Sequence, residues 1–304
     1  MTDHLSPDIL PARPDRLELG EGIRWTGGDR VHLVDILAGR LFTAPNDPAA
    51  PLRLLAELPV PLGAAAPVDS CPGLWIAAAG TGICLFEPYG HAVWLARPEE
   101  GTCRNMRMND AATDPSGRLW AGSMACDADR GAGSLYRVDR DGSVVQVLDG
   151  ITVPNGPVFT ADGKVMYLAD SARGVISRYP VDAVSGLPGA PEPFVTLPEG
   201  SPDGMAIDVE GALWCAVWGT GTVRRYLPDT TLDRVLHLPA AQPAGVCLQD
   251  TLLHITTARV GLSSPGPYDG AVFSVPVEVP GLPSHCFRLD SGLQFATSRE
   301  RDDE

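Results

Sequence analysis

The chain has fewer basic than acidic residues. Its 304 residues include 23 Lys and Arg and 38 Asp and Glu, which gives a net charge of −15. An acidic surface without a Lys/Arg cluster repels phosphate backbones, which excludes nucleic acid as a partner. No apolar run reaches the ~20 residues that a membrane helix needs, so no membrane partner is expected. The first residues, MTDHLSPDILPARPDR, lack the basic-then-apolar layout of a signal peptide, which predicts a cytoplasmic protein.

Cysteine pairs and helical patterns are also missing. The seven cysteines are scattered and odd in number, and none forms a CxxC motif. This usage is typical of reduced thiols in the cytoplasm. No segment longer than a turn or two repeats its apolar residues every 3.6 positions, which excludes a mainly helical fold.

What the chain does contain is a repeated unit with many turn residues. Its 33 glycines and 29 prolines are spread along the whole length. A turn residue followed by an apolar strand recurs every ~40–50 residues, a period typical of one four-stranded propeller blade. The six turn residues are Gly28, Gly73, Gly117, Gly163, Gly211 and Asp250.

The repeat predicts an all-β fold, a six-bladed β-propeller. Each apolar strand is followed by a second glycine turn and a strand that contains an aromatic residue, so every unit has a recognisable hairpin. Closure into a ring leaves no blade edge free. We expect a flexible lead-in over residues 1–16, part of which could pair with the last blade, and one domain over 17–304. The alternative is a pair of β-sandwiches with accidental spacing.

A lone acid or amide recurs at one place ahead of the apolar strand in four of the six units. Asn109, Asn155 and Asp203 each precede a marker glycine by eight residues, and Glu21 precedes Gly28 by seven. We take these apolar strands as the innermost strands of the propeller, and the loops that enter innermost strands cluster at one mouth of the channel. The four residues therefore predict one site of hard oxygen donors that suits Ca²⁺, Mg²⁺ or Mn²⁺. Taken singly, each could instead be an ordinary turn residue.

Two further residues near Asn109 carry predictions. Alternation along a strand puts Arg107 on the same side as Asn109, where a guanidinium could bind substrate oxygens. An inter-blade salt bridge is the alternative for Arg107. Asp110 points the other way and is expected to cap the turn.

The six histidines form no pair at metal-ligand spacing and are interpreted as surface or packing residues.

The same stretches resemble the regucalcin (senescence marker protein), gluconolactonase and luciferin-regenerating-enzyme family. The similarity runs from about Leu17 to Phe273, and jointly its motifs are specific. The matching stretches are 21–25, 107–110, 114–124, 155–156, 161–163, 167–171, 202–205 and 211–214.

The resemblance implies a six-bladed propeller, in agreement with the repeat, and one divalent cation held by Glu21, Asn155 and Asp203. It also implies that Arg107 and Asn109 contact substrate and that Asp203 serves as the general base. Asp127 falls where some sugar lactonases have a substrate-binding Glu. Ca²⁺ is the favoured cation, with Zn²⁺, Mn²⁺ or Mg²⁺ as alternatives.

These observations predict a metal-dependent hydrolase of a sugar-acid lactone or related cyclic ester, with a small-molecule substrate and a monomeric or weakly oligomeric state. Departures from the family pattern, such as Pro157 after the Asn155-Gly156 pair, leave the substrate open. Two alternatives remain. One is a calcium-binding propeller without turnover. The other is a biosynthetic propeller enzyme of the strictosidine-synthase type, catalysing a condensation or rearrangement.

Overall fold

The computed structural model describes residues 12–28, 31–69, 71–88, 91–182 and 185–290. Across these residues the chain forms strands β1–β23 and one short 3-10 turn, Ser171–Arg173. The strands make six antiparallel sheets, five of four strands and a sixth of three. No helix in the described ranges is long and apolar enough to cross a membrane.

The sheets share one order, with successive strands of the chain lying side by side. The innermost strands are β1 (Gly20–Trp25), β5 (Leu62–Pro67), β9 (Met106–Thr113), β13 (Pro154–Phe159), β17 (Ser201–Ile207) and β21 (Pro243–Gln249). The second strands are β2 (Val31–Asp35), β6 (Trp75–Ala79), β10 (Leu119–Ala125), β14 (Val165–Asp170), β18 (Leu213–Trp218) and β22 (Leu252–Thr257).

The third strands remain largely buried, whereas the outermost strands are more exposed. The third strands are β3 (Arg40–Ala44), β7 (Gly82–Phe86), β11 (Gly133–Val138), β15 (Val175–Pro180), β19 (Thr222–Tyr226) and β23 (Val272–Pro276). The outermost strands are β4 (Arg53–Glu57), β8 (Val93–Ala96), β12 (Val144–Ile151), β16 (Glu192–Thr196) and β20 (Leu232–His237).

The innermost strands form a closed circle, because each contacts the innermost strand of the next sheet and β21 contacts β1. Glycines allow this close approach: a Cβ at Gly63 would lie 2.1 Å from the carbonyl oxygen of Asn109. The arrangement is the predicted six-bladed β-propeller. Apolar clusters fill the spaces between sheets, as where Trp120 of one sheet meets Phe159 of the next at 5.5 Å between ring centroids.

The glycine-led apolar strands are the second strands, whereas the sequence analysis took them as the innermost ones. The candidate residues therefore do not lie in loops that lead into the innermost strands. They lie within those strands, as Asn109 lies in β9 and Asp203 in β17. The second strands are buried nearly throughout because sheets cover both of their faces. Residues 29 and 30, expected to begin the first apolar strand, lie outside the described residues.

The N-terminal segment lies against the sixth sheet. The amide of Arg13 donates to the carbonyl of Val272 at 3.1 Å, and that of Leu17 donates to Gly270 at 2.7 Å. The Arg13 side chain is fully buried and donates to the carbonyls of Pro45 and Ala50. Part of the expected lead-in, residues 12–16, thus contacts the last blade, and residues 1–11 lie outside the described residues.

A C-terminal segment crosses one end of the channel. The amide of Ser284 donates to the carbonyl of Trp25, and the amide of Arg288 donates to that of Gly117. Residues 282–285 line a cavity of only about 80 Å³ at this end, together with Arg24 and Met205. The segment therefore narrows this mouth of the channel.

His254 predicts how stability depends on pH. It is buried between the Ser274 hydroxyl and the Gln249 side chain, and burial, aided by the charge of Arg13, lowers its pKa from 6.5 to about 4. The neutral ring is favoured in the folded state, so its contribution is complete above pH 6.5 and is lost as pH falls towards 4. We expect wild type to lose about 2 kcal/mol more than His254→Asn between pH 7 and 5 in urea unfolding. Equal losses in the two proteins would show that His254 does not titrate in this way.

Candidate functional site

Every innermost strand shifts its register against the second strand at one point, as a β-bulge does. In β1 and β13 the shift directly follows Glu21 and Asn155. In β9 and β17 it includes Asn109 and Asp203. Bulges re-aim side chains, and four sheets thus direct a polar group to one place. This placement explains the common spacing of the four residues in the sequence.

A cavity of about 590 Å³ opens at the mouth of the channel opposite the C-terminal segment. Its polar lining includes all four recurring residues together with Arg107 and Ser171. The four are each no more than 5% exposed. The structure therefore brings together the residues that are predicted to bind the cation and the substrate, with the exception of Asp127.

A chain of hydrogen bonds orients the two amides. Arg107 Nη1 donates to Asn109 Oδ1 at 2.7 Å, so the predicted same-side placement of these two residues is confirmed. Asn109 Nδ2 then donates to Asn155 Oδ1 at 3.1 Å and to the carbonyl of Pro154 at 2.8 Å. The side-chain oxygen of Asn109 thus accepts a hydrogen bond from the positively charged guanidinium of Arg107. The side-chain oxygen of Asn155 accepts from a neutral amide.

Ser171 continues this chain, although the sequence analysis assigned it no role. Its hydroxyl donates to the carbonyl of Pro202 at 2.5 Å and accepts from Asn155 Nδ2 at 2.7 Å. A hydroxyl has one proton, so the bond to Pro202 forces Ser171 to accept from the Asn155 amide. This contact keeps the Asn155 carbonyl oxygen away from Ser171. Ser171 ends a stretch that matches the family, 167–171, but only the fold shows its two partners.

The two carboxyl groups of the site are buried, and burial disfavours their charged forms. Burial raises the pKa of Asp203 well above its ordinary value, and the nearby charges of Glu21 and Asp110 raise it further. Burial likewise raises the pKa of Glu21, with the charge of Asp110 as the next cause. Asp203 Oδ1 has no hydrogen-bond partner among the described residues. Such a pair favours either a shared proton or a bound cation.

Asp110 does not cap a turn, and that prediction was wrong. Its Oδ1 accepts from Arg24 Nη2 at 2.8 Å, and its Oδ2 accepts from the amide of Gly156 at 3.0 Å. Asp110 therefore ties β9 to β1 and to β13, inside the channel. The bulge in β9 is the physical reason, because simple alternation along the strand fails where a residue is inserted.

Asp127 lies outside the cavity lining, although its neighbours Cys126 and Ala128 contribute to it. Asp127 follows β10, is exposed, and accepts a hydrogen bond from the amide of Asp129 at 3.2 Å. The structure thus places it at the rim, two residues beyond the end of β10.

The residues present fit a hard cation. Glu21 and Asp203 supply carboxylates, Asn155 supplies an oriented amide oxygen, and Asp203 Oδ1 is a buried acceptor without a donor. Oxygen donors of this kind are what Ca²⁺ and Mg²⁺ prefer. No three His, Cys, Asp or Glu side chains in the described ranges meet at metal-binding distances, so a cation here depends on the amide as well as on the two acids.

Residues 19–259 match the protein family described as the SMP-30/Gluconolactonase/LRE-like region. The chain belongs to this family. The 6-deoxy-6-sulfogluconolactonase of Pseudomonas putida is 33% identical over 285 residues, which cover 88% of this chain and 94% of that protein. Pentonolactonase XacC of Haloferax volcanii is 32% identical over 293 residues, with 90% and 96% coverage.

Solved structures of family members share the fold. A calcium-binding protein, regucalcin, from Agrobacterium tumefaciens superposes with a TM-score of 0.84 at 29% identity, over 92% of this chain and 98% of that one. A luciferin-regenerating enzyme gives a TM-score of 0.83 at 24% identity, over 90% and 96%. These likenesses agree with the six-bladed ring described above.

Proposed function

We propose that this protein hydrolyses a lactone with the help of one divalent cation held by Glu21, Asn155 and Asp203. The observation that carries the proposal is the buried pair of carboxyl groups beside an oriented amide oxygen, at a cavity large enough for a small cyclic ester. Two lactonases among the relatives match about nine-tenths of the chain, which supports a lactonase-type hydrolase.

The donor set favours Ca²⁺, with Zn²⁺, Mn²⁺ or Mg²⁺ as alternatives, because all three ligands are oxygen atoms. A cation bound there would polarise the ester carbonyl as a Lewis acid. Its charge would also offset the repulsion between Glu21 and Asp203, which burial makes costly.

The remaining steps are assigned to side chains of the protein. Asp203 accepts a proton from the attacking water, whose oxygen forms the new bond to the carbonyl carbon. The ring C–O bond then breaks, the leaving ring oxygen takes up the proton that Asp203 accepted, and the product is an open-chain hydroxy acid. Arg107 and Asn109 line the same cavity and orient the lactone through its oxygens.

Turnover of a panel of aldonolactones tests the function. We expect hydrolysis that EDTA abolishes and that an excess of Ca²⁺ or Mn²⁺ restores. Opening of the ring is followed as acid release with a pH indicator, and a protein-free blank at each cation concentration measures spontaneous hydrolysis. Undiminished turnover after complete cation removal would contradict the proposed role of the cation.

A second candidate is a calcium-binding propeller without turnover, favoured by the description of the Agrobacterium tumefaciens structure as a calcium-binding protein. The same panel separates the two, because that candidate predicts calorimetric Ca²⁺ binding with no hydrolysis of any lactone. A biosynthetic propeller enzyme that catalyses a condensation would not need the Glu21, Asn155 and Asp203 set.

Ser171 is predicted to be a positioning residue for the cation ligand Asn155. In Ser171→Ala the Asn155 amide loses the acceptor that fixes its orientation, so cation affinity should fall about 10-fold, as for other residues behind a ligand. Titration calorimetry of the EDTA-stripped protein measures this loss directly. Ser134→Ala removes a buried hydroxyl outside the cavity and is the matched control. Unchanged cation affinity in Ser171→Ala would show that the hydroxyl only joins two sheets.

Asp127 remains a predicted substrate contact at the rim. Because its carboxylate is exposed and sits outside the cavity lining, we expect Asp127→Ala to change KM or lactone preference by only a few-fold. Cation affinity should stay the same. Loss of cation binding in this variant would make Asp127 a ligand and contradict the division of roles.

A further inference from the structure

The cavity has two unlike sides. Sheets three to five contribute most of the polar groups described above, and Glu21 of the first sheet adds one more. The opposite side is formed by residues from sheets one, two, five and six, and we call it the apolar wall. It consists of Leu19, Leu37, Pro61, Trp218 and Val260. Trp218 and Val260 pack against the apolar cluster that contains Leu19, so the wall is continuous with the core.

Strand register explains why an indole lines this wall. At the end of the second strand, Asp35 pairs with Gly20 and Asp170 pairs with Pro154. Both carboxylates accept hydrogen bonds from amides of the segment that leads into the innermost strand. In the fifth sheet the same register position, opposite Ser201, is occupied by Trp218. A large apolar group thus replaces a hydrogen-bonded acid, and it lines the cavity.

The lining contains one cationic side chain, Arg107, among the described residues. Its guanidinium lies on the polar side and already donates to Met108 and Asn109. At the mouth of the cavity, Leu37 leaves 45% of its surface exposed. A charged group placed against the apolar wall would lose water and find no partner, which is unfavourable, whereas a methyl or short alkyl group would gain by burial.

We propose that the substrate is an uncharged lactone that carries a methyl or short alkyl substituent, as a 6-deoxy sugar lactone does, and that this substituent lies on the apolar wall. This inference rests on the proposed lactonase activity. It specifies two properties of the substrate. The substrate has no anionic group, and it has an apolar end remote from the ester.

Four lactones of related size, compared in two pairs, test both properties. We expect kcat/KM for 6-deoxy-galactono-1,4-lactone to exceed that for galactono-1,4-lactone about 10-fold, since an apolar pocket discriminates against an added hydroxyl by up to ~100-fold. The anionic 6-phosphogluconolactone should be at least about 10-fold worse than gluconolactone. Equal or inverted preferences in either comparison would overturn the inference while leaving the lactonase function intact. Failure to hydrolyse any lactone would instead overturn the function itself.

A single substitution on the wall adds a second test. Leu37→Lys places a cation at the mouth and should raise kcat/KM for the anionic lactone relative to gluconolactone about fivefold, the effect of one partly solvated charge pair. Leu54→Lys is the matched control, because Leu54 is 49% exposed in the outermost strand β4 of the same sheet and away from the cavity. If the two variants change the ratio equally, the gain comes from net charge and the wall does not contact the substituent.

Discussion

Asp203→Asn is expected to lower lactone hydrolysis by about 10²–10⁴-fold at saturating cation, the loss typical of removing a general base. The substitution keeps an oxygen donor of the same size, so a cation should still bind, though more weakly because one negative charge is gone. It also removes a buried acid whose pKa is raised by burial and by the charge of Glu21, so thermal stability of the cation-free protein should not fall. Single-turnover rates and calorimetric cation affinity are measured on the same preparations.

Asn155→Ala is the comparison that isolates the base. It removes a ligand oxygen and the bonds to Asn109 and Ser171, but it takes no proton acceptor away. Its activity should therefore recover in large part when excess cation is supplied. If Asp203→Asn recovers as well as Asn155→Ala does, Asp203 is only a ligand and another group accepts the proton of the water.

The fold and the main polar groups of the site could be predicted because each leaves a repeated local signal. A turn residue ahead of each second strand, glycine in five of the six, marks a blade, and Asn109, Asn155 and Asp203 keep a constant distance from that glycine. In a closed ring a repeated local position becomes a shared place at the axis. Four residues far apart in sequence could thus be assigned to one cavity.

Three features could not be predicted, because each depends on register or on contacts between strands. Asp110 lies inside the channel because a bulge interrupts the alternation of β9. Ser171 connects Asn155 of β13 with Pro202 of β17. These partners lie 16 and 31 residues from Ser171 in the sequence. Trp218 lines the cavity because of its pairing opposite Ser201. None of these relations repeats at a fixed spacing, so no sequence period reveals them.

Arg107→Gln is expected to lower kcat/KM by roughly 10- to 100-fold, since a hydrogen bond to a charged group contributes about 1.5–3 kcal/mol. Arg107 is partly buried, and burial lowers the pKa of its guanidinium, yet it makes no ion pair within the described part of the chain. A guanidinium that lines the cavity and has no carboxylate partner is available to bind substrate oxygens. The salt bridge between blades that the sequence left open as an alternative is therefore not supported.

The pattern of the kinetic effect distinguishes binding from structure. Glu21, Asn155 and Asp203 are untouched in Arg107→Gln, so cation affinity should stay within about twofold of wild type while KM rises. Arg107→Lys keeps the charge but loses the planar fork that also donates to Asn109 Oδ1, and it should give an intermediate value. A lowered melting temperature with unchanged kcat/KM would assign Arg107 to the stability of the sheets. An unchanged melting temperature with raised KM would assign it to the lactone, because the loss of the guanidinium would then affect only the binding of substrate.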